Sequence, residues 1–264
     1  MDCPDCTAEI SPENDRKSMS SRQQLRALLS GGGIGLVALL VCGGLLGFAL
    51  IPALFYGHRN EAQNRQECKS RLRLIALGLL NYQDRFGVFP PAVTYSADGQ
   101  PMHSWRVLIL PYIESSPMYN SYRLNEPWNS PANLAITARM PSIYACPSNP
   151  QGRESGDTHY LAIDGPGSIL NSLEPARPED LVDSPNQTLM VVEARHSGVH
   201  WTEPRDIDIR QAQSASPEGL SSFHSGGFHA VLADGSVRYF PETIPPQTLK
   251  ALMTRDGGEL VGDF

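Results

Sequence analysis

An α+β fold, a long N-terminal helix packed on an antiparallel β-sheet with long loops, is what this 264-residue sequence predicts. Three observations predict it. No charged side chain occurs for 31 residues, from Ala27 to Gly57. A helical repeat of apolar residues follows that run at once. Short β-patterned segments and an Asp-Gly turn come later in the chain.

Residues 1–29 read as a flexible cytoplasmic tail, because Thr7 to Ser21 is polar and carries Ser-Pro and Asn-Asp steps. The pair Cys3 and Cys6 has the spacing of half a zinc ribbon. Structural zinc takes four ligands, and no histidine or second paired motif lies between Met1 and Gly57. Two tails sharing one ion across a dimer would complete the set; a degenerate knuckle or solvated thiols are the alternative.

Residues 30–56 read as a transmembrane helix. A bilayer core of roughly 30 Å takes about 20 helical residues, and Ile34–Tyr56 covers that. A cleaved secretory signal is the rival, but the run is too long for a signal core and no small-residue cleavage site follows. Gly43 and Gly47 form a G-x-x-x-G pair suited to a helix dimer, although glycine is also simply common in membrane helices. Arg16, Lys17, Arg22 and Arg26 precede the span and Arg59, Arg65, Lys69, Arg71 and Arg73 follow it, so the positive-inside rule does not orient it. Beyond the span only Cys68 and Cys146 occur, the minimum for one bridge in an oxidising space. That places residues 57–264 outside the cell membrane; two reduced thiols in a reducing compartment are the alternative.

The helix continues over 57–87 as an amphipathic element. Leu72, Ile75, Ala76, Leu79, Tyr82 and Phe86 recur at helical spacing, with Arg71, Arg73, Asn81 and Asp84 on the other face. Gly87 and Pro90-Pro91 end it. Residues 88–264 read as short strands and loops, among them Tyr160–Ile163, Thr188–Glu193 and a hairpin over Phe228–Phe240. Asp234-Gly235 between Ala230-Val231-Leu232 and Val237-Arg238-Tyr239 suits a two-residue type I′ turn.

The net charge of −7 divides into −1 for residues 1–30 (four basic, five acidic) and −6 for the rest (seventeen basic, twenty-three acidic). An acidic domain lacks the clustered cations that phosphate binding needs, which sets nucleic acid aside as a partner. Twenty-two prolines and 23 glycines mark a loop-rich chain whose 41% hydrophobic residues still suffice for one core. No nucleophile elbow, phosphate loop or dinucleotide fingerprint is present.

His224 precedes Asp234-Gly235 as H-x9-D-G. With it come, in order, CKSRLRLIALGLLNYQDRFGVFPPA (68–92), SWRVLILPYIE (104–114), YACPS (144–148) and VVEA (191–194). In this combination the chain, over roughly residues 52–240, resembles the bacterial family catalogued as domain of unknown function 1559. The resemblance implies a type IV pilin- or pseudopilin-like architecture, with the helix as spine. It also implies that Cys68 and Cys146 are a recurring pair, joined as a disulfide; closing so long a loop would stabilise by about 4 kcal/mol. The chain departs from the family's processing signals: the membrane segment holds no glutamate and no Gly-Phe processing step. The expectation is therefore an uncut static anchor and no conventional filament.

The H-x9-D-G residues admit two readings. One is a metal site of Glu193, His224 and Asp234, by analogy with the calcium sites of some pseudopilins, although histidine suits calcium poorly. The other is structural: His224 hydrogen-bonds backbone or a carboxylate, Ser225-Gly226-Gly227 lets the chain turn, and Asp234 and Gly235 make the hairpin turn. A second cluster, Glu193, His196 and His200 with Glu203, Asp206 and Asp208 following, has the residue types of a zinc hydrolase but lacks the H-E-x-x-H order. Two functions follow. The first is a non-enzymatic, membrane-tethered protein, without a required cofactor, whose loops near Ser148–Gly156 and Gly198–Gly219 bind a protein or polysaccharide. The alternative is a metal-dependent hydrolase using Glu193, His196, His200 and His224.

Overall fold

The computed structural model describes residues 61–261 apart from 114, 152, 211–219 and 260, all within the unit Arg59–Phe264. The predicted tail (1–29) with Cys3 and Cys6, and the predicted span (30–56), lie outside the described residues. Among the described residues no helix is long and apolar enough to cross a membrane.

Helix α1 is present over 61–86. Its Cys68, Leu72, Ile75, Ala76 and Leu79 are all buried, one or two per turn, so the predicted apolar face is the one that packs inward. Leu74 and Leu77 point outward, and Phe86, predicted for the inner face, is also exposed because it sits in the last turn. Gly87, at φ +73°, donates its N–H to the carbonyl of Gln83 (2.7 Å) and stops the helix in the left-handed conformation that glycine adopts freely.

Beyond α1 the strand-and-loop expectation is only partly met. A two-stranded hairpin, β1 (Val93–Tyr95) and β2 (Pro101–Ser104), runs directly into α2 (Trp105–Leu108), whose N-cap Ser104 accepts from the Arg106 N–H. Two more short helices follow, α3 (Ser116–Ser121) and α4 (Pro131–Thr137); the second starts on Ser130, whose hydroxyl accepts from the Asn133 N–H. These helices are too short to show a 3.6-residue repeat, and only their caps mark them in the sequence.

The main sheet has strand order β5-β3-β4-β6-β7: β3 is Tyr160–Asp164, β4 Leu189–Glu193, β5 Ile207–Asp208, β6 Gly227–Leu232 and β7 Val237–Pro241. Its pairs are antiparallel except β3 with β5, which is parallel; the sheet is therefore mixed rather than wholly antiparallel. Central strands β4 and β6 are buried at every position because both sheet faces are covered. On one face α1, Trp105, Tyr144 and Trp201 pack against Tyr160, Ala162 and Val231. On the other, α5 (Pro246–Ala251) brings Leu249, with Leu252 and Met253, against Leu161, Ile163, Val192, Phe228 and Leu232. A bulge between Leu189 and Val191 turns both Met190 and Val191 toward the α1 side.

The β6–β7 hairpin exists, but its loop has three residues, not two. The Leu232 N–H donates to Ser236 (2.9 Å) and the Gly235 N–H donates back to Leu232 (2.8 Å), a turn followed by Gly235 at φ +81°. Asp234 accepts from the Ser236 N–H (2.9 Å). A Cβ on Gly235 would lie 2.6 Å from the Leu80 side chain, so the turn seats against α1.

Candidate site at Cys68, Cys146 and His224

The first turns of α1 gather two distant segments. Arg71 donates to the carbonyl of Ala145 (2.5 Å), Asn64 to the hydroxyl of Ser148 (3.1 Å) and Arg65 to the carbonyl of Ser225 (2.9 Å). These contacts hold Cys146 and His224 against Cys68, all three nearly completely buried. The sulfurs of Cys68 and Cys146 are 3.0 Å apart, and His224 Nε2 is 3.7 Å from Cys146 Sγ. One ligand atom from each of the three residues lies within 4.8 Å of the other two.

On the far side of its ring, His224 Nδ1 is 2.6 Å from Glu61, whose other oxygen accepts from Ser148 Oγ (3.1 Å). Burial disfavours the charged imidazole, but the hydrogen bonds to Cys68 and Glu61 outweigh it and raise His224 to about 9. Burial likewise opposes the Glu61 carboxylate, and its hydrogen bonds to His224 and Ser148 bring it below the ordinary range. The contact with Cys146, then burial, push the Cys68 thiol up, so it stays protonated.

Several polar groups around the sulfurs lack partners. The Tyr160 hydroxyl is buried against Cys68 and has no partner besides that thiol. Glu193 accepts from the His229 N–H through Oε2 (2.8 Å), and its Oε1 is buried and unpaired. Burial pushes Glu193 up, and the His229 interactions hold it below the ordinary range. His159 Nδ1 accepts from the Cys146 N–H (3.0 Å), and burial, with His196 and Arg71 nearby, lowers it to about 4.

The predicted disulfide is not formed: an S–S bond is about 2.05 Å, and Cys68 and Cys146 are two free thiols in contact. The structure nonetheless brings together the two cysteines that the resemblance paired. The proposed ligand set Glu193, His224 and Asp234 is not assembled. His224 precedes β6 and Asp234 follows it, and six strand residues separate them by about 20 Å. Nor does the hydrolase set converge. Among the described residues, Glu193, His196, His200 and His224 supply no three ligand atoms within reach of one ion. His200 hydrogen-bonds the Thr202 hydroxyl (2.9 Å) and stacks on Trp128, while His196 lies edge-on to Phe223. Asp206, noted only for its place in that cluster, is buried in an ion pair with Arg106. Asp208 pairs on the surface with Arg210 (2.5 Å).

Sequence reasoning passed over Glu61 and Tyr160. Glu61 stands seven residues before Cys68, two helical turns, which puts both on one face of α1 and is the signal that was there to use. Tyr160 carried none, since it reads as an ordinary strand residue.

Away from the sulfurs, a polar cleft of about 390 Å³ is lined by Asn149, Gln151, Asp157, Arg195, His196 and Phe223. A family model described as a protein of unknown function, DUF1559, matches residues 60–171 and 163–247. No curated protein and no solved structure matches the chain.

Proposed function

The chain belongs to the DUF1559 family of proteins of unknown function, and from that premise we propose that it is a non-enzymatic, membrane-tethered binding protein with a pilin-like head outside a bacterial cell membrane. Residues 30–56 anchor it, and α1 carries the chain from the anchor into the head. The cleft between residues 149–157 and 195–198 is where a protein segment or a polysaccharide docks. The observation that carries this reading is that cleft: the loop read as a recognition segment over Ser148–Gly156 meets residues 195–198, of which only Gly198 belongs to the second such segment, in a concavity offering amide, carboxylate, guanidinium and imidazole groups beside the Phe223 ring.

The test has two halves. Protease added to intact cells should digest the head and spare the tail, with the uncut chain recovered in the membrane fraction. Affinity capture from those membranes should retain a partner that an Arg195→Ala/His196→Ala variant no longer holds. A sheltered head, or a partner indifferent to both substitutions, defeats the proposal.

A further inference from the structure

We infer that Cys68, Cys146 and His224 form a binding site for one thiophilic divalent ion, zinc above all. The donor set is two sulfurs and one imidazole nitrogen, soft ligands that select zinc over calcium or magnesium. In a tetrahedral zinc site, metal–sulfur bonds of about 2.3 Å and a metal–nitrogen bond of about 2.0 Å put sulfur near 3.8 Å from sulfur and near 3.5 Å from nitrogen. The Cys146–His224 separation of 3.7 Å already matches, and the sulfurs part from 3.0 Å by less than an ångström. Binding takes one proton from each thiol and the Nε2 proton from the charged imidazole, three in all at neutral pH; two thiolates and a neutral imidazole then leave the ion and its ligands without net charge.

Two observations separate this site from a mere pair of cysteines. The first is the outer shell. Glu61 takes Nδ1 of His224, with Ser148 and Asn64 behind the carboxylate, which holds Nε2 toward the sulfurs. That carboxylate–histidine arrangement orients metal ligands, and a disulfide has no use for it. The second is two buried polar atoms, the Tyr160 hydroxyl with no partner besides Cys68 and Glu193 Oε1 with none. A thiolate accepts a hydrogen bond from Tyr160, and a water in the fourth metal position can serve Glu193; a neutral disulfide leaves both buried and unsatisfied. In the oxidising space proposed above, the thiols take the ion only where it loads before they oxidise to a disulfide.

Full-length protein, purified reduced and without oxygen in detergent, is titrated with zinc(II) and, separately, cobalt(II). One ion per chain is expected, with a thiolate-to-cobalt charge-transfer band and the visible bands of tetrahedral cobalt. Cys146→Ser and His224→Gln should remove the band, Glu61→Gln should weaken zinc about 10- to 100-fold, and Asp234→Ala should leave it unchanged. Circular dichroism separates lost binding from lost folding, and Glu61→Gln is the informative variant where a ligand substitution unfolds the chain. The inference is overturned by no stoichiometric ion, by cobalt spectra lacking the thiolate band, or by binding that survives loss of the sulfurs. A chain two hydrogens lighter before reduction, refusing metal even when reduced, overturns it in favour of a disulfide.

Discussion

Arg106 and Asp206 are each fully buried and face one another, and burial outweighs their pairing, lowering Arg106 and pushing Asp206 up to about 6. Asp206 Oδ1 also accepts from the Ala162 N–H (2.7 Å) and the Trp105 indole (3.1 Å), while Arg106 donates to the Tyr160 carbonyl (3.1 Å) and the Ser104 hydroxyl (2.6 Å). Removing one partner strands the other, so Asp206→Ala should lose about 3–5 kcal/mol in denaturant unfolding, whereas a well-packed apolar pair replacing both should lose much less. His159 gives a pH dependence. Burial lowers it from 6.5 to about 4, so the unfolded chain takes up a proton before the folded one does. Its contribution is whole above pH 6.5 and is lost as pH falls toward 4, up to about 3 kcal/mol. Unfolding midpoints measured across that window should show this acid slope, and His159→Gln should flatten it.

Helix α1 separates positions that composition alone treats alike. Ile75 and Leu79 are sealed against the sheet, and truncating either to alanine should cost about 2–5 kcal/mol. Leu74 and Leu77 are about half exposed, and the same truncation there should stay within about 0.5 kcal/mol. Thermal melts of the four variants check the division. The β6–β7 hairpin makes a second demand: Gly235 needs positive φ and also lets Leu80 approach. Gly235→Ala should destabilise by at least about 1 kcal/mol through backbone strain alone, with a steric part on top. Adding Leu80→Ala should recover only the steric part, which a double-mutant cycle would isolate. Gly78 holds a similar closeness, since a Cβ there would meet Ile113 at 2.8 Å, and so it admits the segment that follows α2.

At the scale of the molecule, sequence reading succeeded where a pattern repeats locally. The apolar face of α1, its stop at Gly87, the strands near Tyr160–Ile163 and Thr188–Glu193 and the Asp-Gly hairpin all follow from periodicity and turn chemistry within a few residues. It missed α2 to α5, which are shorter than the repeat that would announce them, and the parallel pairing of β5. It gave the hairpin two loop residues where there are three, because an Asp-Gly pair serves either turn. The grouping of chemistry was less legible. H-x9-D-G looks like one motif along the chain, yet β6 carries its two halves to opposite ends, one to the sulfurs and the other to a turn on α1. Conversely, Cys68, Cys146 and His224 are separated by 78 residues at each step and meet. The amino-acid order by itself determined the α+β class, the inward face of the helix and the family, since these depend on neighbours a few positions away. Only tertiary structure decided which side chains share a site, because that depends on long-range contacts from α1 to the Ala145–Ser148 and Ser225 segments, which no local spacing encodes.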